Sequence, residues 1–205
     1  MPLSSSTLAL VVLLLISMAS RARPCTDQEK SSLLRFISGL SWDGGLATSL
    51  WRNNNGTAAD CCSWEGITCS GGGVVTEVSL PGRGLQGPIS PALGDLVSLR
   101  RLNLSHNSLS GELPLERFLM LSSPSGLVAI DVSFNRLEGE LCELPSSNSG
   151  WPLQVLNISS NQFTGEFPSA TWQAMDDLVV LNASNNSFHG RMPTSFCISS
   201  LSSFT

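Results

Sequence analysis

Leu102-Asn103-Leu104-Ser105-His106-Asn107-Ser108-Leu109-Ser110-Gly111 returns as Ile130-Asp131-Val132-Ser133-Phe134-Asn135-Arg136-Leu137-Glu138-Gly139, as Leu156-Asn157-Ile158-Ser159-Ser160-Asn161-Gln162-Phe163-Thr164-Gly165, and as Leu181-Asn182-Ala183-Ser184-Asn185-Asn186-Ser187-Phe188-His189-Gly190. A degenerate copy, Val78-Ser79-Leu80-Pro81-Gly82-Arg83-Gly84-Leu85-Gln86-Gly87, precedes them. Counted from Arg83, the position of Asn107, Asn135, Asn161 and Asn186 advances by 24, 28, 26 and 25 residues. A period of that size marks a chain of stacked supersecondary units.

Within each copy the apolar residues recur as L-x-x-L-x-L. In the third copy they are Leu127, Ile130 and Val132, which point one face of a short strand inward. One such strand cannot bury its face alone, so the copies stack and share a core. Spacing and pattern fit a leucine-rich repeat. The predicted fold class is an α/β-type solenoid: a right-handed arc with short parallel strands on its concave face and a helical, disulfide-bonded N-terminal cap. Asn107, Asn135, Asn161 and Asn186 are predicted to form a buried ladder whose amides satisfy backbone groups left unpaired by the turning chain. Arg83 breaks that ladder at the end of the stack. A second signature follows each phrase, as Gly87-Pro88-Ile89, Gly111-Glu112-Leu113-Pro114, Gly165-Glu166-Phe167-Pro168 and Gly190-Arg191-Met192-Pro193. It matches the plant-type form L-x-G-x-I-P, where glycine permits a tight bend and proline disfavours helix before it. The third copy has Cys142 in the proline position.

The predicted division is a signal peptide over 1–24, a cap over 25–74 and about five repeats over 75–205, at 75–98, 99–126, 127–152, 153–177 and 178–201, with no C-terminal cap. Two stretches exceed the period, 118–126 and 145–152, the latter containing Trp151. Both fall between the glycine signature and the next strand, so both read as tolerated loops on the convex side.

Leu8 to Met18 is an apolar run of signal-peptide length, too short to span a bilayer, and small residues follow at Ala19, Ser20 and Ala22. Met1 to Thr7 contains no Lys or Arg, so an uncleaved anchor is the competing reading. No later stretch is apolar over membrane-spanning length, and the chain is expected outside the cytoplasm. Charged residues make up 13 % of the sequence and the net charge is −5, a poor basis for nucleic-acid binding, which needs clustered Lys and Arg.

Six cysteines, Cys25, Cys61, Cys62, Cys69, Cys142 and Cys197, are expected to be oxidised in such a compartment. A zinc site would need spaced ligand pairs, whereas the adjacent Cys61-Cys62 suits two different partners. Four cysteines at the cap allow three connectivities. Cys142 and Cys197 lie two repeats apart, about 10 Å along the stack, and are predicted not to pair. In the cap, Thr26-Asp27-Gln28-Glu29 is a capping box. Leu33, Phe36, Ile37 and Leu40 continue it as a helical apolar face towards Gly39, where the helix ends. A second short turn is expected over Leu46 to Trp51, with Trp42, Trp51 and Trp64 as packing residues rather than ligand anchors.

Cys61-Cys62-Ser63-Trp64-Glu65-Gly66-Ile67-Thr68-Cys69 resembles the C-C-x-W-x-G-V-x-C motif of plant leucine-rich-repeat N-terminal domains, with Ile67 in the valine position. The resemblance implies Cys25–Cys61 and Cys62–Cys69 bridges and Trp64 packed over the first strands. With Val78 to Leu96, the chain resembles the N-terminal part of plant leucine-rich-repeat receptor kinase ectodomains, most of all the phytosulfokine-receptor group for tyrosine-sulfated peptides. That implies an extracellular scaffold recognising a peptide or protein ligand in cell-surface signalling. Receptors of that group also carry many more repeats, an island domain, a membrane helix and a kinase. None of these falls within the present residues, so no ligand residue and no phosphoryl transfer carry over, and co-receptor contacts are expected only outside this stretch. The alternative readings are a secreted inhibitor like the polygalacturonase-inhibiting proteins, which share cap and repeat type, and a non-functional remnant.

Solvent-facing strand positions supply the candidate recognition surface. They comprise Thr76, Glu77 and Ser79; Arg100, Arg101 and Asn103; Val128, Ala129 and Asp131; Gln154, Val155 and Asn157; and Val179, Val180 and Asn182. Arg100, Arg101, Asp131 and Gln154 are the candidate binding residues, the arginines for an anionic group. Sequons at Asn55, Asn103, Asn157, Asn182 and Asn185 are candidate glycosylation sites. His106 and His189 have no nucleophile or orienting carboxylate at a defensible spacing, and neither a cofactor nor a metal is implied, so enzyme activity is not expected.

Overall fold

The protein is described here from a computed structural model, which describes residues 24–42, 45–51, 60–120, 126–141, 143, 151–173 and 175–190. The signal-peptide segment, Asn55, Cys142, Cys197 and most of both insertions lie outside the described residues.

Thr26 starts the cap helix α1 (Asp27–Ser38). Its hydroxyl accepts the Glu29 amide hydrogen at 3.2 Å, and its own amide and hydroxyl donate to Glu29 Oε2 at 3.0 and 2.8 Å. The other carboxylate oxygen of Glu29, Oε1, accepts the amide hydrogen of Val75 at 2.8 Å. One buried carboxylate thus closes the helix start and ties the cap to the first repeat strand. Bonds to an ionised acceptor are the stronger kind. Glu29→Ala is expected to lower unfolding stability by about 2 kcal/mol, read from the urea midpoint. An unchanged midpoint would show that apolar packing and the disulfides hold the cap without this carboxylate.

The apolar face of α1, Leu33, Phe36 and Ile37, is buried against Trp51, whose ring is 6.4 Å from Phe36 and stacks on Trp64 at 5.1 Å. Trp51 Nε1 donates to the Glu65 carbonyl at 3.0 Å. These two tryptophans are core, and Trp42 is half-buried. Disulfides join Cys25 to Cys61 and Cys62 to Cys69. Asp60 Oδ1 accepts the amide hydrogens of Cys25 and Cys62 at 2.8 and 3.1 Å. Cys25, Asp60 and Cys61 come together as a metal trio would, but the two sulfurs are bonded to each other and the carboxylate is engaged by backbone.

Among the described residues each of the first four repeats adds one strand to each of two sheets, and the fifth adds one to the first sheet. In the first, β3 (Ile67–Cys69) runs antiparallel to β4 (Val75–Ser79), and β6 (Arg101–Asn103), β8 (Ala129–Asp131), β10 (Val155–Asn157) and β12 (Val180–Asn182) follow in parallel, one per repeat. This sheet lines the concave face. The second begins with the cap pair β1 (Ser41–Trp42) and β2 (Gly45–Leu46). It continues through β5 (Gln86–Pro88), β7 (Ser108–Gly111), β9 (Arg136–Glu140) and β11 (Gln162–Thr164). The glycine signature therefore forms a strand where the sequence suggested only a bend. Its glycines Gly87, Gly111, Gly139, Gly165 and Gly190 all take positive φ.

Leu80, Leu85, Leu102, Leu104, Leu109, Ile130, Leu137, Leu156, Ile158 and Phe163 fill one continuous core between the sheets. The convex side is closed by a 3₁₀ turn (Pro91–Asp95) and the short helices α2 (Leu115–Met120) and α3 (Ser169–Gln173). Phe118, expected to open a surface insertion, lies in α2 at 1 % exposure, and Leu119 is buried with it. Trp151, expected on the other loop, is also buried. Both supply bulk that the short convex segments otherwise lack. Asp95 pairs with Arg35 at 2.9 Å and Arg117 at 2.8 Å, linking α1, the 3₁₀ turn and α2 across the convex surface.

The asparagine ladder has the expected role. Asn161 Oδ1 accepts from the Leu137 amide at 3.0 Å, and Nδ2 donates to the carbonyls of Val132, Ile158 and Ser159 at 3.0, 3.1 and 3.1 Å. Asn107, Asn135 and Asn186 repeat the pattern. Asn161 is buried, and Asn107, Asn135 and Asn186 are half-buried. Arg83 instead turns outward to an ion pair with Glu65 of the cap.

Candidate recognition face

Parallel, in-register pairing lines up the concave positions in rows. Backbone bonds of 2.8 Å run from the amide of Arg100 to Thr76, Val128 to Arg100, Gln154 to Val128 and Val179 to Gln154, which places those residues in one row. Glu77, Arg101, Ala129, Val155 and Val180 form the next, and Ser79, Asn103, Asp131, Asn157 and Asn182 the third. The cap end is charged, with Arg100 and Arg101 exposed and Glu77 half-buried. Towards β12 the face becomes apolar, with Val155 half-buried and Val179 and Val180 exposed by 58 % and 38 %. Gln154 is exposed between these zones.

Asp131 behaves differently from the arginines. Its Oδ1 accepts from the Ser133 amide and hydroxyl at 3.0 and 2.7 Å, and its Oδ2 accepts from Asn157 Nδ2 at 3.3 Å. Both of its oxygens are used by the fold. Asn103, Asn157 and Asn182 make the same local pair of bonds to Ser105, Ser159 and Ser184. Asp131-Val132-Ser133 shows that Asx-x-Ser closes the strand end whether or not it is a sequon. Asn185 is exposed and donates to Ser160 Oγ at 3.1 Å.

A further surface row escaped the sequence. Gly82, His106, Phe134, Ser160 and Asn185 all have φ between 54° and 63° at the exit of the concave strand. The His106 and Phe134 rings stack at 4.3 Å, with Phe134 51 % exposed. Alignment of the copies puts these two residues at one repeat position, which is the signal for the stack. His189 lies in the second-sheet row instead, where its carbonyl and amide bond Phe167 and Gly165. No helix among the described residues is long and apolar enough to cross a membrane.

Cap and repeats define the class of protein. The profile described as leucine rich repeat N-terminal domain matches residues 26–70, and that of the leucine rich repeat matches 98–116, 152–173 and 177–198. The chain belongs to the plant-type leucine-rich-repeat family, and its similarity is to the N-terminal part of receptor ectodomains. It is 34 % identical over 162 residues to brassinosteroid LRR receptor kinase BRL3 of Oryza sativa subsp. japonica, covering 75 % of this chain and 13 % of that protein. To phytosulfokine receptor 2 of Arabidopsis thaliana it is 36 % identical over 102 residues, covering 47 % and 9 %. The BIR2 ectodomain of Arabidopsis thaliana superposes with a TM-score of 0.67 at 28 % identity, over 85 % of this chain and 87 % of that one. The Arabidopsis receptor kinase HAESA, solved with the peptide hormone IDA and the co-receptor SERK1, superposes at 0.69 and 30 % identity, over 83 % and 27 %. The chain spans 13 % and 9 % of the length of the two receptor kinases it matches in sequence.

Proposed function

We propose that this chain is a non-catalytic recognition scaffold of the extracellular part of a plant receptor, acting in cell-surface peptide signalling. The graded concave face carries this reading: arginines at the cap end and exposed valines about three repeats further on. An extended peptide with a carboxylate near one end and apolar side chains near the other complements both zones. The peptide hormone bound in the HAESA structure supports the same class of ligand. A displayed random-peptide library selected on the secreted chain tests this. Enrichment of peptides with an acidic residue spaced from an apolar cluster is expected. Failure to enrich any family of sequences, or enrichment of basic ones, contradicts the proposal.

A further inference from the structure

Asn103, Asp131, Asn157 and Asn182 stand in register on adjacent strands of the concave sheet. Neighbouring positions in such a row are about 4.8 Å apart. A pyranose ring with its hydroxyls is wider than that interval, so two sugars cannot stand on neighbouring strands with their asparagine side chains held parallel. The side chains are held: each Oδ1 of Asn103, Asn157 and Asn182 is fixed by the amide and hydroxyl of the serine two residues on. Asn157 is hemmed in on both sides. Its Nδ2, the atom that would carry sugar, is 3.3 Å from Asp131 Oδ2, and Asn182 is its partner on the next strand.

We infer that the folded chain carries N-linked glycans on Asn103 and Asn182 and none on Asn157, leaving a window over β8 and β10 between two glycan posts. The inference rests on the reading of the chain as secreted. The donor is an oligosaccharide on a lipid diphosphate. The bond from sugar C1 to phosphate oxygen breaks, the bond from C1 to asparagine Nδ2 forms, and one amide proton leaves with the lipid diphosphate. Transfer onto the entering chain precedes folding, so the fold acts as a filter. A chain with sugar on both Asn157 and Asn182 cannot bring β10 and β12 into register and is not exported. Three strand intervals separate the posts, a gap of about 14 Å. Posts so placed keep out a flat globular partner and leave the neighbouring row from Arg101 to Val180 to one extended peptide. Exposed Gln154 leads into β10, and half-buried Val155 begins it, between the posts.

Glycopeptide mass spectrometry of the full chain exported from plant cells tests the inference. Sugar on Asn103 and Asn182, with Asn157 bare, is the expected result. Asn182→Asp keeps the strand-end bonds, as the natural Asp131 does, and removes the competing sequon. Asn157, bare in the wild-type chain, should then carry sugar in a measurable fraction of exported molecules. Single molecules bearing sugar on both Asn157 and Asn182 would overturn the spacing argument while leaving the secreted reading intact. A chain with no sugar at any of its five sequons, Asn55 and Asn185 included, would overturn both.

Discussion

Asn161→Ala should lower unfolding stability by about 3 kcal/mol, among the largest losses available from one polar side chain here. The change removes the acceptor of the Leu137 amide and the donor to three carbonyls, in a residue 9 % exposed. The amide hydrogen of Leu137 then has no partner in a buried place, and its full desolvation cost is felt. Asn161→Asp is nearly isosteric and keeps the acceptor. It is nonetheless expected to be at least as damaging, because it turns a carboxylate oxygen towards the carbonyls of Val132, Ile158 and Ser159. Thermal or urea midpoints of the two variants decide the matter. If Asp were tolerated and Ala were not, the bond accepted from Leu137 would suffice and the bonds to the three carbonyls would contribute little.

Gly66→Ala is expected to be more severe, at about 3 kcal/mol or above, and to reduce export of the folded chain. Gly66 has φ +75°, and a β-carbon on it would sit 2.3 Å from the Ser79 carbonyl oxygen and 2.6 Å from Leu80 Cδ2. Neither β3 nor β4 can yield without losing the 2.7 Å bond from the Ser79 amide to the Gly66 carbonyl. The glycine of the Trp64-Glu65-Gly66 motif is therefore a packing requirement between cap and first repeat. Gly82→Ala is the control. It has φ +63° but open space around a β-carbon, and His106, Phe134, Ser160 and Asn185 take the same conformation with full side chains. Only the left-handed backbone cost, about 1 kcal/mol, should appear there. Equal losses in the two variants would contradict the close approach of β4 to Gly66.

Those two residues mark what the sequence reveals and what it hides. Asn161 was legible because its neighbours recur in four copies, and repetition turns one position into a row. Glu29 was legible only in part. The capping box is local, but the bond from its carboxylate to the Val75 amide spans 46 residues and has no local trace. The second sheet was hidden for the same reason. Ser108 to Gly111 looks like a turn because its strand partners lie one repeat away and its glycine has positive φ. Phe118 and Trp151 were misplaced because the excess over the repeat period was assigned to loops. On the concave face, repeat alignment places residues in rows, half-buried Asp131 among them. It could not show that Asp131 spends both oxygens on Ser133 and Asn157, or that His106 and Phe134 stack.

Recognition of an extended peptide by the concave face is the central claim, and affinity tests it most directly. A peptide taken from the library selection would be titrated against wild-type chain, Arg101→Glu, Val180→Asp and Arg117→Gln. Arg101 and Val180 lie on the concave sheet, whereas Arg117 lies on the convex side in the exposed ion pair with Asp95. Each concave variant is predicted to raise Kd by about tenfold or more, roughly 1.4 kcal/mol, with Arg117→Gln unchanged. Undiminished binding by both concave variants, or loss only in Arg117→Gln, would place the ligand elsewhere and contradict the account.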